Sequence, residues 1–169
     1  MNSHPRESKN VLSVCSLIAI LLFIGGCGAG KTMIIKPPET SYKAASVSFS
    51  EGKSPVKVPD EAKQVFEEKL GMFLYGEGGF QKGSDLKIEY RFIQFNPGSQ
   101  FTRYMLGGIG NSGEGSLTVE AKYFDNTGNE VCSVHCEGKI GSGVFGGDFD
   151  NAIEKAAKEI ADYTRQTFK

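Results

Sequence analysis

Residues Val11–Thr32, VLSVCSLIAILLFIGGCGAGKT, admit two incompatible readings, and the choice between them decides which fold to expect downstream. Read forward from Gly25, the run Gly-Gly-Cys-Gly-Ala-Gly-Lys-Thr satisfies the phosphate-loop pattern G-x-x-x-x-G-K-[ST]. That reading demands a strand before the loop and a helix after it, whose N-terminal amides face the phosphates of a nucleotide. Read backward from Cys27, the same stretch is an uncharged apolar run closed by small residues and a cysteine. The helix decides the matter. After Thr32 come Met33-Ile34-Ile35-Lys36 and then Pro37-Pro38, and proline costs about 3 kcal/mol inside a helix. No later apolar strand ends in an aspartate suited to holding magnesium. The phosphate-loop match is a coincidence of glycines.

The backward reading has the parts of an export segment. Met1–Asn10 is polar, with Arg6 and Lys9 outweighing Glu7, and Val11–Ile24 follows as a charge-free run of about 14 residues, the length of a signal-peptide core and short for a membrane span. Ile24-Gly25-Gly26-Cys27 resembles a bacterial lipobox, with isoleucine where leucine is commonest. The resemblance implies cleavage before Cys27, a diacylglyceryl thioether on its sulfur and an acyl chain such as palmitate on its freed amine. Each buried methylene contributes about 0.8 kcal/mol and one chain binds only marginally, so two or three are needed for stable anchoring. Gly28, rather than aspartate, follows the cysteine, which in that class implies onward transport to the outer membrane.

Three segments are therefore expected: a signal peptide over 1–26, a lipidated N-terminus with a flexible tether over 27–43, and a folded domain over 44–169. A tether of that length spans about 20 Å. Without the signal segment about 140 residues remain, a common single-domain size. The net charge of −1 and the absence of basic runs leave no nucleic-acid footprint and no polybasic membrane patch. Glycines cluster in Gly76–Gly83, Gly107–Gly115 and Gly138–Gly147, as expected of tight loops between elements.

Hydrophobic periodicity orders the domain as β-α-β-β-β-α. Ala44–Ser50 alternates around Val47 and Phe49. Pro59-Asp60-Glu61 opens a helix, with proline and acids where the dipole favours them, and Ala62, Val65, Phe66, Leu70, Phe73 and Leu74 share one of its faces. Asp85–Phe95 is a strand with Leu86, Ile88, Tyr90 and Phe92 on one side and Lys87, Glu89 and Arg91 on the other. Glu114–Phe124 turns inward Leu117, Val119, Ala121 and Tyr123, and Asp125–Gly128 is a hairpin turn returning into Glu130–Ile140. A final helix capped by Asp148 presents Phe149, Ile153, Ala156, Ala157, Ile160, Tyr163 and Phe168. The expectation is a single α+β domain, a mainly antiparallel sheet with two helices packed on one face.

Few residues invite chemistry. Gly108–Gly113 fits G-x-G-x-x-G but precedes a strand; Gly141–Gly146 fits too, yet no parallel strand follows its helix and Asp148 and Asp150 put negative charge where a pyrophosphate would sit. In Cys132-Ser133-Val134-His135-Cys136, strand parity separates His135 from both thiols, so neither a metal site nor a Cys–His pair assembles. The cysteines lie about 13 Å apart along a regular strand, too far for a disulfide, and read as small buried hydrophobes. His135 reads as an exposed strand residue. No catalytic residue, cofactor or metal ligand is assigned. The loop Phe95–Ile109 carries Phe101, Tyr104, Met105 and Leu106, which are either folded onto the core or presented to a partner.

Ser99–Tyr104 leading into Gly107–Gly115, the Asp125–Gly128 hairpin, and Gly143–Gly147 before an alanine-rich helix together resemble the family of bacterial envelope lipoproteins defined as the domain of unknown function numbered 4410. The resemblance spans Gly98–Tyr163, does not include Cys132 and Cys136, and brings no catalytic residues. The reading at this stage is a non-enzymatic, lipid-anchored protein on the periplasmic side of the cell envelope, in the outer membrane rather than the inner. Its partners would be membrane lipid, through the Cys27 chains, and another envelope protein. The alternative is a small-ligand or lipid-binding module with a cavity lined by Phe92, Tyr123 and Phe145.

Overall fold

Alternating apolar residues in the middle of the chain form the strands they predict, and a computed structural model describes residues 30–38, 42–96, 115–139 and 149–169. The elements are β1 (Lys31–Lys36), β2 (Ser46–Glu51), α1 (Asp60–Tyr75), β3 (Gln81–Lys82), β4 (Leu86–Asn96), β5 (Ser116–Phe124), β6 (Glu130–Lys139) and α2 (Phe149–Phe168). The strands form one sheet in the order β1-β6-β5-β4-β2-β3. Pairing is antiparallel from β1 to β4 and parallel from β4 through β2 to β3. The parallel step follows from α1, because a helix that carries the chain from the end where β2 finishes back to the end where β2 began lets β4 start there and run the same way. The fold is α+β, with both helices on one face of the sheet.

Register shows which side chains meet the helices. Phe49, Ile88, Tyr123 and Cys132 lie in one row across the sheet. Ile34, Val134, Ala121 and Tyr90 form the next, followed by Thr32, Cys136, Val119 and Phe92. Phe66 of α1 packs against Tyr90 and Phe92, tilted to the first and edge-on to the second, with ring centroids 4.9 and 5.2 Å away. Tyr163 and Phe168 of α2 pack against Tyr123. So α1 covers the β4 half of the sheet and α2 the β5–β6 half, and a Lys69–Glu154 ion pair joins the helices. Tyr123 is fully buried; its hydroxyl meets Thr164 Oγ1 at 3.1 Å, and burial drives its pKa well above the usual phenol range.

Several expectations change. Residues Lys31–Lys36, expected within a flexible tether, are strand β1 at the sheet edge. Side-chain hydrogen bonds help secure it: Thr32 Oγ1 donates to Glu159 of α2 at 2.6 Å, and Lys36 Nζ donates to the Glu130 carbonyl at 2.6 Å. The Pro37-Pro38 pair that rules out a helix does not rule out a short strand ending before it. Strand alternation in β4 breaks between Phe92 and Gln94, where a bulge resets the parity so that Phe95 pairs with Leu117. Gly138, the first glycine of the Gly138–Gly147 cluster, lies inside β6, within the strand expected over Glu130–Ile140. The Asp148 cap lies outside the described residues.

The β5–β6 turn behaves as its sequence dictates. Gly128 adopts φ 87°, and its amide donates to the Asp125 carbonyl at 3.1 Å. Hydrogen bonds from Thr127, and then from Asn129, hold the Asp125 carboxyl down to about 2.

Candidate functional site

The face of the sheet turned away from the helices carries a row of charged and titratable side chains. Arg91, Glu120 and His135 lie side by side on β4, β5 and β6, directly paired by register. The Arg91 guanidinium donates through Nε to Glu120 Oε2, and His135 Nε2 lies 3.5 Å from Glu120 Oε1. The glutamate side chain is only 9% exposed. Burial alone pushes its carboxyl upward, but the Arg91 hydrogen bond and charge, helped by Lys122 and His135, more than offset this and leave it below the ordinary range. Both carboxylate oxygens face cationic or donor groups, so this row acts as a clamp across three strands rather than as a base awaiting a substrate.

Removing one partner exposes the cost of that buried charge. Arg91→Gln is expected to lower stability at neutral pH by about 1–2 kcal/mol, less than a fully buried pair would lose because Arg91 is 41% exposed. The sign follows from the depressed carboxyl: its stabilisation is fully present above the ordinary carboxylate pKa and disappears as pH falls through the lower folded value. Urea titrations of both proteins should therefore differ at pH 7 and converge in acid well below pH 4.5. A gap that stays constant with pH would contradict the assignment.

The cysteines point the other way. Both are free and buried, and burial pushes Cys132 up to about 11 and Cys136 up to about 12, so neither thiol is poised to ionise at neutral pH. His135, expected to be exposed, is half-buried against Glu120 and lies on the opposite face from both thiols. Among the described residues, no three His, Cys, Asp or Glu side chains are placed to hold a metal ion. A groove of about 450 Å3 beside the hairpin is lined by Ser48, Ser84, Lys87, Glu89, Phe124 and Asn126, on the charged face. Phe92 and Tyr123, expected to line a cavity, are fully buried in aromatic packing; Phe145 lies outside the described residues.

Cys27, Phe101, Tyr104, Met105 and Leu106 also lie outside the described residues. Sequence reading missed the edge strand. Met33, Ile34 and Ile35 are 39%, 57% and 53% exposed, an apolar run on β1. Its apolar character is plain in the sequence, but its strand pairing depends on β6, about 100 residues away, which no local pattern reveals. Among the described residues, no helix is long and apolar enough to cross a membrane.

The architecture is thus a small α+β domain with a clamped charged face and an apolar edge. The chain belongs to the family of the domain of unknown function DUF4410, whose model matches residues 35–143. That match begins well before the Gly98–Tyr163 span on which the sequence resemblance rests and ends inside it, at residue 143. No curated protein matches it by sequence. Solved structures similar to it include the PelC dodecamer from Paraburkholderia phytofirmans, at 15% identity and TM-score 0.46, covering 83% of this chain and 99% of that one. A point variant of the same dodecamer aligns at 14% identity and TM-score 0.44, covering 80% and 94%.

Proposed function

We propose that this protein is a lipid-anchored lipoprotein of the bacterial cell envelope. Its domain faces the periplasm as a non-enzymatic interaction or assembly module, with the outer membrane as its location. The observation that carries the reading is the sequence Val11–Cys27, a charge-free run closed by Ile24-Gly25-Gly26 and a cysteine suited to acylation. Among the described residues, the buried Glu120 carboxylate is held between Arg91 and His135, and the Cys132 and Cys136 thiols are buried.

Cells fed radiolabelled palmitate should incorporate it into the wild-type protein and not into Cys27→Ala. Incorporation that survives the substitution would overturn the anchor. Crosslinking in intact cells, followed by identification of the attached protein, tests the interaction role; recovery of the domain alone under conditions that crosslink neighbouring envelope proteins would argue against it.

A further inference from the structure

We propose that the β1 edge of the domain rests on the lipid surface, with Met33, Ile34 and Ile35 seated among the headgroups. This inference rests on the reading of Cys27 as an acylated anchor. It starts from reach. Only Gly28, Ala29 and Gly30 separate Cys27 from Lys31, and the four Cα steps from Cys27 to Lys31 extend at most about 15 Å. Because β1 is part of the sheet and is tied to α2 through Thr32 and Glu159, it does not pay out as extra tether. The acyl chains therefore hold this edge, rather than the helices or the hairpin, beside the bilayer.

The surface so placed is the right kind. Among the described residues the large apolar side chains left exposed are Met33, Ile34, Ile35 and Met72. Three of the four are consecutive at the β1 edge, Ile34 paired with Val134 on the helix-facing side and Met33 paired with His135 on the other. It is therefore the edge itself, rather than one face of the sheet, that is apolar, and Met72 stands on α1, which covers the opposite half of the sheet. Exposed Lys31 lies two residues before Met33, on the same side of the strand, where an ammonium can reach lipid phosphates while its stem lies along apolar surface. The unpaired backbone groups of an edge strand cannot enter hydrocarbon, so the seat is at headgroup depth, where those groups stay hydrated and the side chains reach the acyl boundary.

An added strand from a second copy fits this edge less well. The β1 ladder shifts register between Ile34 and Lys36, and Pro37-Pro38 follows immediately. A short, bulged edge ending in proline is a poor template for strand addition.

The test uses full-length lipidated protein carrying Ile35→Cys or Met72→Cys, each labelled with a small fluorophore and reconstituted in phosphatidylethanolamine–phosphatidylglycerol vesicles containing headgroup-level spin-labelled lipid. The native Cys132 and Cys136 are buried, which confines the label to the introduced thiol. Quenching at position 35 is expected to exceed that at position 72 by about three-fold or more, as a shallow interfacial contact requires. Equal or reversed quenching, with intact-mass measurement confirming the acyl chains, overturns the edge contact and leaves the anchor standing. Absence of acyl chains on the processed protein overturns both.

Discussion

Gly138→Ala is expected to lower stability by about 3 kcal/mol, or about 10 °C in melting temperature for a domain of this size. Gly138 is buried in β6 on the helix-facing side, opposite Leu117. A Cβ there would collide with the Ala152 carbonyl oxygen and lie 3.0 Å from the Ala156 amide nitrogen. Both are backbone atoms of α2, so no side chain can swing aside, and the helix must lift from the sheet. Ala152 and Ala156 are themselves fully buried, which fits a helix seated unusually close to the strand beneath it. Gly71→Ala is the control with the opposite sign. Its Cβ would meet Phe49 at 3.7 Å, an ordinary contact, and alanine in a helix interior gains up to about 1 kcal/mol over glycine. Thermal melts followed by far-ultraviolet circular dichroism separate the two. If Gly138→Ala melts within a degree or two of the wild type, the close seat of α2 is wrong.

That pair of glycines also marks where sequence reading stops. Periodicity located α1, β4, β5, β6 and α2 because each alternates or repeats over enough residues for one face to dominate, and Leu86, Ile88, Tyr90 and Phe92 are buried as their spacing predicts. Glycine carries no such signal. Gly138 falls within the strand that alternation marks out as Glu130–Ile140, but nothing in that pattern shows that α2, distant in sequence, presses directly on it. The same limit hid β1. A run of three apolar residues between Thr32 and Lys36 is too short to show a period, and the phosphate-loop coincidence pointed to a helix that is absent. The parallel pairing of β2 with β4 depends on how α1 closes the chain, and neither strand records it.

The site divides along the same line. That Arg91 and His135 avoid the core is legible from parity within each strand, and parity also separates His135 from the thiols. That both converge on Glu120 is a matter of register between strands, and a shift of one residue would have placed Glu120 among the aromatics instead. Composition carried the anchor reading because a signal segment is recognised by length, charge and small residues, which do not depend on folding. The apolar edge beside it needed the structure.

Phe66→Ala is expected to destabilise the domain by about 3–5 kcal/mol and, on the proposal that Cys27 is an acylated anchor, to leave that acylation untouched. Phe66 is fully buried, and its ring meets Tyr90 and Phe92, the latter edge-on at 70°. Truncation removes the contact by which α1 holds the β4 half of the sheet and leaves a cavity that neighbouring aromatic rings, fixed by strand backbone, cannot fill. Val65, one position along the helix and only half-buried, is the comparison; Val65→Ala should cost less than about 1 kcal/mol. The two readouts are independent by construction, since processing at a lipobox reads residues ahead of the folded domain whereas urea or protease reads its core. Phe66→Ala should then incorporate labelled palmitate as the wild type does while its domain is cut rapidly by a protease that spares the wild type. Loss of acylation in step with loss of folding would mean that the anchor and the domain are not separate devices, and the short connection through Gly28–Gly30 would be the place to look for the coupling.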